Sequence, residues 1–291
     1  MLLRPLSDIP LTDVVNLWNE AFQDYAIPMQ QSVDRLFARM AREGLSPSLS
    51  VIATIDDRPV GLVLNGIRTI RGMRIAWNGG TGVIPSFRRS GVGKAMIRYC
   101  LDLYRKEGAH ITTLEALADN QKAIDLYRQC GYEVINRIGV FLQQSPANPD
   151  RETLRTNWHI QRVPTIDVSS LPFYQIQAPW QTHWENLPAG ESLIACDENG
   201  NPVGYALFQR VYTEDGQCRE IVMVQCETNP DHPLRDEITV ALAHHVFQPD
   251  LPNIKRKAIH VPLSRSTLCD WLKKNGFRSI VEQVQMKKEL R

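Results

Sequence analysis

Apolar residues at helical spacing alternate along this chain with short β-branched runs. Leu11, Val14, Val15 and Trp18 recur every three or four residues, so they share one helix face, and Ser7-Asp8 before them offers capping side chains. A second helix is expected over residues 33–43, with Leu36, Phe37 and Met40 turned inward and Gly44 ending it. After a short apolar opening at residues 2–5, strands are expected at 50–55, 60–70 and 74–83. Asp56-Asp57-Arg58-Pro59 and Arg71-Gly72 supply the turns between them. A helix over 91–106, a strand over 111–116, a helix over 120–130 and a strand over 133–143 complete the first half.

Residues 145–150, Ser-Pro-Ala-Asn-Pro-Asp, hold two prolines and no large apolar side chain, which reads as a linker or exposed loop. The pattern then repeats. Strands at 192–196 and 202–210 flank the turn Glu198-Asn199-Gly200-Asn201. A strand at 220–224, a helix at 234–247, a strand at 258–261, a helix at 266–275 and a strand at 280–286 follow. Order and spacing echo residues 50–143, as in a diverged internal repeat of a domain-sized unit. The expected division is 1–145, a linker or closing strand over 146–164 that includes 158–163, and 165–291.

The sharpest local signal is Val83-Ile84-Pro85-Ser86-Phe87-Arg88-Arg89-Ser90-Gly91-Val92-Gly93-Lys94-Ala95-Met96, between a strand and a helix. The first N–H groups of a helix have no internal partner and sit at the positive end of its dipole. Gly91 and Gly93 remove Cβ atoms so that a phosphate can reach those amides, and Arg88, Arg89 and Lys94 add full charges. A P-loop is excluded, because Ala95 follows Gly93-Lys94 and Arg88 replaces the first glycine. A dinucleotide fingerprint is excluded, because Met96 stands at its third small position. Arg88-x-x-Gly91-x-Gly93 remains. Downstream, Asn120-Gln-Lys-Ala123-Ile-Asp-Leu-Tyr127-Arg-Gln-Cys-Gly131-Tyr132 places Asn120 and Tyr127 two helical turns apart on one face, with small Ala123 between them.

Together these two motifs resemble the GNAT superfamily of N-acetyltransferases, and the likeness extends over the element order from about residue 2 to 143. The resemblance implies an α/β (α+β) fold: a central mixed, twisted sheet flanked by helices, here in two tandem copies. It implies acetyl-CoA as co-substrate, no metal, and transfer of the acetyl group to a primary amine by direct attack on the thioester. Val83, Ile84, Arg88, Arg89, Ser90, Gly91, Val92, Gly93, Lys94, Asn120 and Ala123 then hold the cofactor, and Tyr127 protonates or hydrogen-bonds the departing thiolate. Asn78-Gly79-Gly80-Thr81-Gly82-Val83 matches the bulged strand whose free backbone groups face the pantetheine, with an amide near Val83 for the oxyanion. Glu20, Asp24 and Glu115 are candidate bases, and the loop around Tyr25 is a candidate acceptor wall. The second copy lacks the glycine cradle and has Leu272 and Arg265 at the Tyr and Asn positions, so it reads as a degenerate GNAT-like domain. The competing expectation is a non-catalytic acyl-CoA sensor or interaction protein.

Composition narrows the partners. With 33 Lys+Arg against 32 Asp+Glu, the formal charge is +1, too small for a general field toward nucleic acid or an anionic membrane. Six cysteines without a CxxC pair suit reduced, mostly buried thiols. No run approaches the roughly 18 apolar residues of a membrane span. The expectation is therefore a cytoplasmic protein, monomer or homodimer, with a small-molecule or peptide amine acceptor. Of His244-His245 on a helix, one is expected to be partly buried and one exposed, on different faces that do not chelate together, and the run Lys255-Arg256-Lys257 is expected to be a solvated turn.

Overall fold

The structure is a computed structural model that describes residues 1–144, 158–249 and 251–290; the expected linker at 145–150 lies outside them. The chain forms two compact units, residues 1–135 with 284 onward, and residues 136–283.

The first unit contains β1 (Leu2–Pro5), α1 (Leu11–Ala21), α2 (Val33–Glu43), β2 (Val51–Ile55), β3 (Arg58–Ile70), β4 (Met73–Val83), α3 (Val92–Lys106), β5 (Ile111–Leu117) and α4 (Gln121–Gln129). The strands pair in the order β1-β2-β3-β4-β5, antiparallel except for the parallel β4–β5 pair. The end of the chain's last strand lies beyond β5, and the Leu290 N–H donates to the His110 carbonyl at 2.9 Å. Both predicted hairpin turns form. Asp56 and Asp57 take φ of 48° and 59°, and Arg71 and Gly72 take 48° and 79°, the left-handed pairs that match strand twist.

Helix α2 starts where the Ser32 side chain accepts from the Arg35 N–H and ends at Gly44, whose φ is +64°. Leu36 and Met40 are buried as expected, but Phe37 is 65% exposed. One residue turns a helix by about 100°, so Phe37 cannot share the face of two residues spaced four apart.

One irregularity positions the site. Leu64 pairs with Gly80 and Asn65 with Asn78, so Gly79 is an extra residue in β4. A Cβ on Gly79 would come within 2.6 Å of the Trp77 ring, so only glycine fits. Arg39 of α2 donates to the Gly79 carbonyl at 2.6 Å, while its guanidinium also bonds Glu43 and covers the Trp18 ring. Pairing of β4 with β5 runs from Ile75 to Asn78, and beyond it the two strands part.

The second unit takes in most of β6 (Glu133–Gln143), then β7 (His159–Val163), α5 (Thr165–Val168), β8 (Gly190–Cys196), β9 (Pro202–Tyr212), β10 (Cys218–Thr228), α6 (Arg235–Phe247), β11 (Lys255–Pro262), α7 (Ser266–Lys274) and the start of β12 (Phe277–Glu289). The direction pattern of the first unit recurs: β7-β8-β9-β10 antiparallel, then β10–β11 parallel. A bulge also recurs, with Val224 the extra residue. Residues 158–163, expected within the linker or closing strand, include β7, the edge strand paired with β8. β6 pairs antiparallel with β11, the place that the tail of β12 takes beside β5.

The Lys255-Arg256-Lys257 run is no solvated turn. It opens β11, and Arg256 is buried, donating to the carbonyls of Phe247, Gln248, Leu251 and Ile254 and to the Gln143 side chain. A fully partnered guanidinium can be buried there because it satisfies helix-end and loop carbonyls that would otherwise lose water. Trp271 and Leu272 join the core, with Trp271 stacked on Phe247 at 5.9 Å. Five of the six cysteines are buried and all are free thiols.

Candidate active site

The parted strands frame a cleft of about 1030 Å³ in the first unit. Its mouth is the N-terminus of α3. Gly91 precedes the helix at φ +89°, and the first intrahelical bond runs from the Ala95 N–H to the Gly91 carbonyl at 3.0 Å. The amides of Val92, Gly93 and Lys94 thus have no partner within the helix and face outward at its positive end.

Arg89, Gly91, Gly93 and Lys94 line this mouth. Lys94 reaches Gln129 at 3.2 Å. Val83, Asn120, Ala123 and Tyr127 line the cleft further in. Ile84 and Val92 are buried behind it, and neither they nor Ser90 line it; the Ser90 hydroxyl closes the loop onto the Phe87 carbonyl at 2.7 Å. Arg88 lines the cleft, yet its donors are committed: two to the Asp24 carboxylate at 2.7 Å, and others to the Ala21 and Val83 carbonyls. It staples the end of α1 to the end of β4, so it frames the cradle.

The carboxylates sort by the same reasoning. The Arg88 hydrogen bonds hold the Asp24 carboxyl below its ordinary range, which makes it a weaker base. Glu20 pairs with Arg58 at 2.9 Å in an exposed bridge and does not line the cleft. Glu115, also outside the lining, accepts from the Trp77 indole at 2.8 Å.

Tyr127 is 7% exposed, packed edge-on against Tyr132. Burial pushes its phenol up to about 12, with the nearby Thr81 side chain acting in the opposite direction. Asn120 caps α4 by accepting from the Ala123 N–H at 3.2 Å, and it lines the cleft together with Tyr25 of the loop after α1. Gly131 ends the motif at φ +87°. Sequence reasoning missed Thr81, Asp119 and Lys122 as lining side chains. Thr81 had a visible signal, a hydroxyl inside a glycine-rich strand; Lys122 had none. Behind the cleft, burial pushes the Cys100 thiol up to about 12, so it offers no thiolate nucleophile near neutral pH.

Residues 11–132 match the model of the acetyltransferase (GNAT) family. This match places a GNAT domain in the first unit. An uncharacterized N-acetyltransferase of Methanocaldococcus jannaschii is 31% identical over 85 residues, which is 28% of this chain and 38% of that protein. A fungal glucosamine N-acetyltransferase region, within a multi-domain β-N-acetylglucosaminidase, superposes with a TM-score of 0.71 at 16% identity, covering 98% of this chain and 38% of that one. A tandem GNAT protein from the clavulanic acid biosynthesis pathway gives 0.59 at 13% identity, covering 100% and 98%. The structural likenesses show the fold, and the last shows it in tandem. The chain spans well under half the length of the first two relatives.

The second unit carries charged and polar side chains at the counterpart positions. Three residues past the bulge, where the first unit has Gly82, it has Glu227, and Arg265 at the start of α7 grips that carboxylate at 2.5 Å. Gln225, at the counterpart of Gly80, accepts from the Tyr205 hydroxyl at 2.7 Å and donates to the Thr182 carbonyl at 3.0 Å. Burial pushes Glu227 up to about 7 despite Arg265.

Proposed function

We propose that the first unit transfers an acetyl group from acetyl-CoA to a primary amine by direct attack on the thioester. The observation that supports this reading best is one cleft with an amide-lined, cation-flanked mouth at α3 and the Tyr127 hydroxyl further in. The residues suit the co-substrate. Free amides with Arg89 and Lys94 match a diphosphate, and the narrow Ala123 side chain leaves room for an extended arm. The neutral amine nitrogen bonds to the carbonyl carbon, the carbon–sulfur bond breaks with its electron pair on sulfur, the nitrogen gives up one proton to solvent, and the thiolate takes one up and departs as the thiol. A β4 amide near Val83 donates to the transient oxyanion, and Tyr127 donates to the sulfur. With the Cys100 thiol held protonated, a direct route is favoured over an acyl-cysteine route.

The acceptor is a small-molecule or peptide amine. Calorimetry with acetyl-CoA, followed by thiol release with a panel of peptide N-termini, lysine peptides, amino sugars and polyamines, tests the reading. Binding with amine-dependent release supports it. No binding overturns it, and binding without release across the panel leaves an acyl-CoA-binding protein in its place.

A further inference from the structure

Behind the cleft, hydrogen bonds join α3 to β3 among the buried apolar side chains Met96, Ile97 and Leu101. The Tyr104 hydroxyl donates to Asn65 Oδ1 at 2.5 Å, and Asn65 Nδ2 donates to the Leu49 carbonyl at 2.8 Å and to Cys100 Sγ at 3.3 Å. Asn65, Cys100 and Tyr104 are each 0% exposed. Tyr104 lies twelve residues after Val92, so the bond sits about 18 Å along the helix from the amide-lined mouth, at ~1.5 Å per residue. Asn65 pairs with Asn78, the last β4 residue before the Gly79 bulge. One buried set of bonds thus connects the helix that forms the mouth to the strand pair that forms the bulge. The second unit builds the same layer without it. There the residue paired just before the bulge is Phe208, opposite Met223. Eight and twelve residues after the start of α6, where α3 has Cys100 and Tyr104, stand Ala243 and Phe247. All three belong to the apolar core, and the segment that leads into α6 holds no glycine. The fold therefore does not require the polar set, which accompanies the unit with the glycine-lined mouth. Apolar packing is non-directional and leaves a helix some freedom along a sheet, whereas a buried, fully partnered hydrogen bond fixes one position.

We propose that Asn65 and Tyr104 are positioning residues that fix α3 along β3, so that the mouth at Gly91 and the bulge at Gly79 stay a set distance apart and one acetyl-CoA engages both. The inference rests on the acetyl-CoA reading of the cleft and deepens it. Neither side chain lines the cleft, so each acts through the elements it joins. The diphosphate end and the thioester end of the co-substrate bind separate elements, and the binding energy of one aids the other only while those elements keep their spacing.

Two variants of the full chain separate this from a purely stabilising role. Tyr104→Phe leaves Asn65 Oδ1 buried without its donor, which lowers the melting temperature. Asn65→Leu combined with Tyr104→Phe makes the layer apolar, like that of the second unit, and is expected to regain most of that loss. Calorimetry gives the Kd of acetyl-CoA, which spans both ends, and of 3′-phospho-ADP, which carries the diphosphate without the arm. In both variants the acetyl-CoA Kd is expected to rise about 3- to 10-fold, the scale of one hydrogen bond, with the 3′-phospho-ADP Kd within about 2-fold of wild type. The acetyl-CoA Kd of the double variant should stay raised although its melting temperature recovers. An acetyl-CoA Kd that recovers together with the melting temperature overturns the proposal, because the bond then only stabilises. Equal rises for acetyl-CoA and 3′-phospho-ADP, or no rise in either variant, overturn it as well. A wild-type chain that binds no acetyl-CoA removes the reading of the cleft itself, a failure distinct from these.

Discussion

Replacing Tyr127 by Phe removes one hydroxyl from the inner part of the cleft, and the structure fixes how much that should matter. The phenol is pushed up to about 12 by burial, whereas an alkyl thiol sits near ~8.5. Full proton transfer from Tyr127 to the leaving thiolate would be uphill by about 5 kcal/mol, at ~1.4 kcal/mol per unit. Under the proposed function, the role left to Tyr127 is that of a hydrogen-bond donor to developing negative charge. Such donors contribute about 1.5–4 kcal/mol in buried sites, or roughly 10- to 10³-fold in kcat. Thiol release in single-turnover and steady-state modes should show that loss with the acetyl-CoA Kd unchanged. Because the Tyr127 hydroxyl stays protonated far above neutrality, kcat should show no Tyr127-dependent fall between pH 8 and about 10. A variant retaining more than about a third of wild-type kcat would refute the reasoning. So would an alkaline limb with a midpoint below about 10 that vanishes in Tyr127→Phe, because it would require a phenol far more acidic than its burial allows.

Gly91→Ala meets no atom within 4 Å but must hold φ of +89°, so the cost is backbone strain of ~1–2 kcal/mol in urea unfolding, with weaker acetyl-CoA binding; an equally stable variant would contradict the strain argument. Asp24→Asn frees Arg88, and because the pair is exposed the expected rise in acetyl-CoA Kd is only about 2- to 5-fold. Asp24 has a folded-state pKa below its ordinary value, so its contribution is complete above the ordinary carboxylate range and is lost as pH falls through the lowered value. The difference in melting temperature between wild type and Asp24→Asn should accordingly close in acid. Glu227 has the opposite sign. Its value is raised to about 7, so its contribution is greatest below the ordinary carboxylate range and declines as pH rises toward 7. Melting temperature relative to Glu227→Gln should therefore fall from pH 4.5 to 8, and a constant difference would show that the Glu227 charge carries no penalty.

Local chemistry was legible because its causes are local. Helix faces, hairpin turns and caps follow from residues three, four or seven apart, which is why Gly44, Gly72, Gly91 and Gly131 all take positive φ where the pattern asks for a turn or cap. The glycine-rich stretch of β4 announced a bulge for the same reason, and the two motifs lie where the sequence put them, at the N-terminus of α3 and along α4 beside one cleft. The failures have physical causes too. Phe37 follows Leu36 by one residue, and composition says nothing about the 100° that separates them. Arg256 looked like a surface cation because burying a guanidinium requires carbonyl acceptors, and most of those come from residues 247–254, which fold back onto it.

Hydrophobic periodicity and two short motifs alone pointed to the GNAT fold, the repeat and the amide-lined mouth at the start of α3, since each depends on backbone geometry within a few residues. Tertiary structure alone decided what the charges do. Arg88 meets Asp24 across 64 positions of sequence and becomes a staple, and Arg265 meets Glu227 across 38. It also decided that the first unit takes up the end of β12 while β6 runs beside β11 in the second. Strand partnership depends on which edge is open when the chain folds, and a strand's own residues record only that it has two faces.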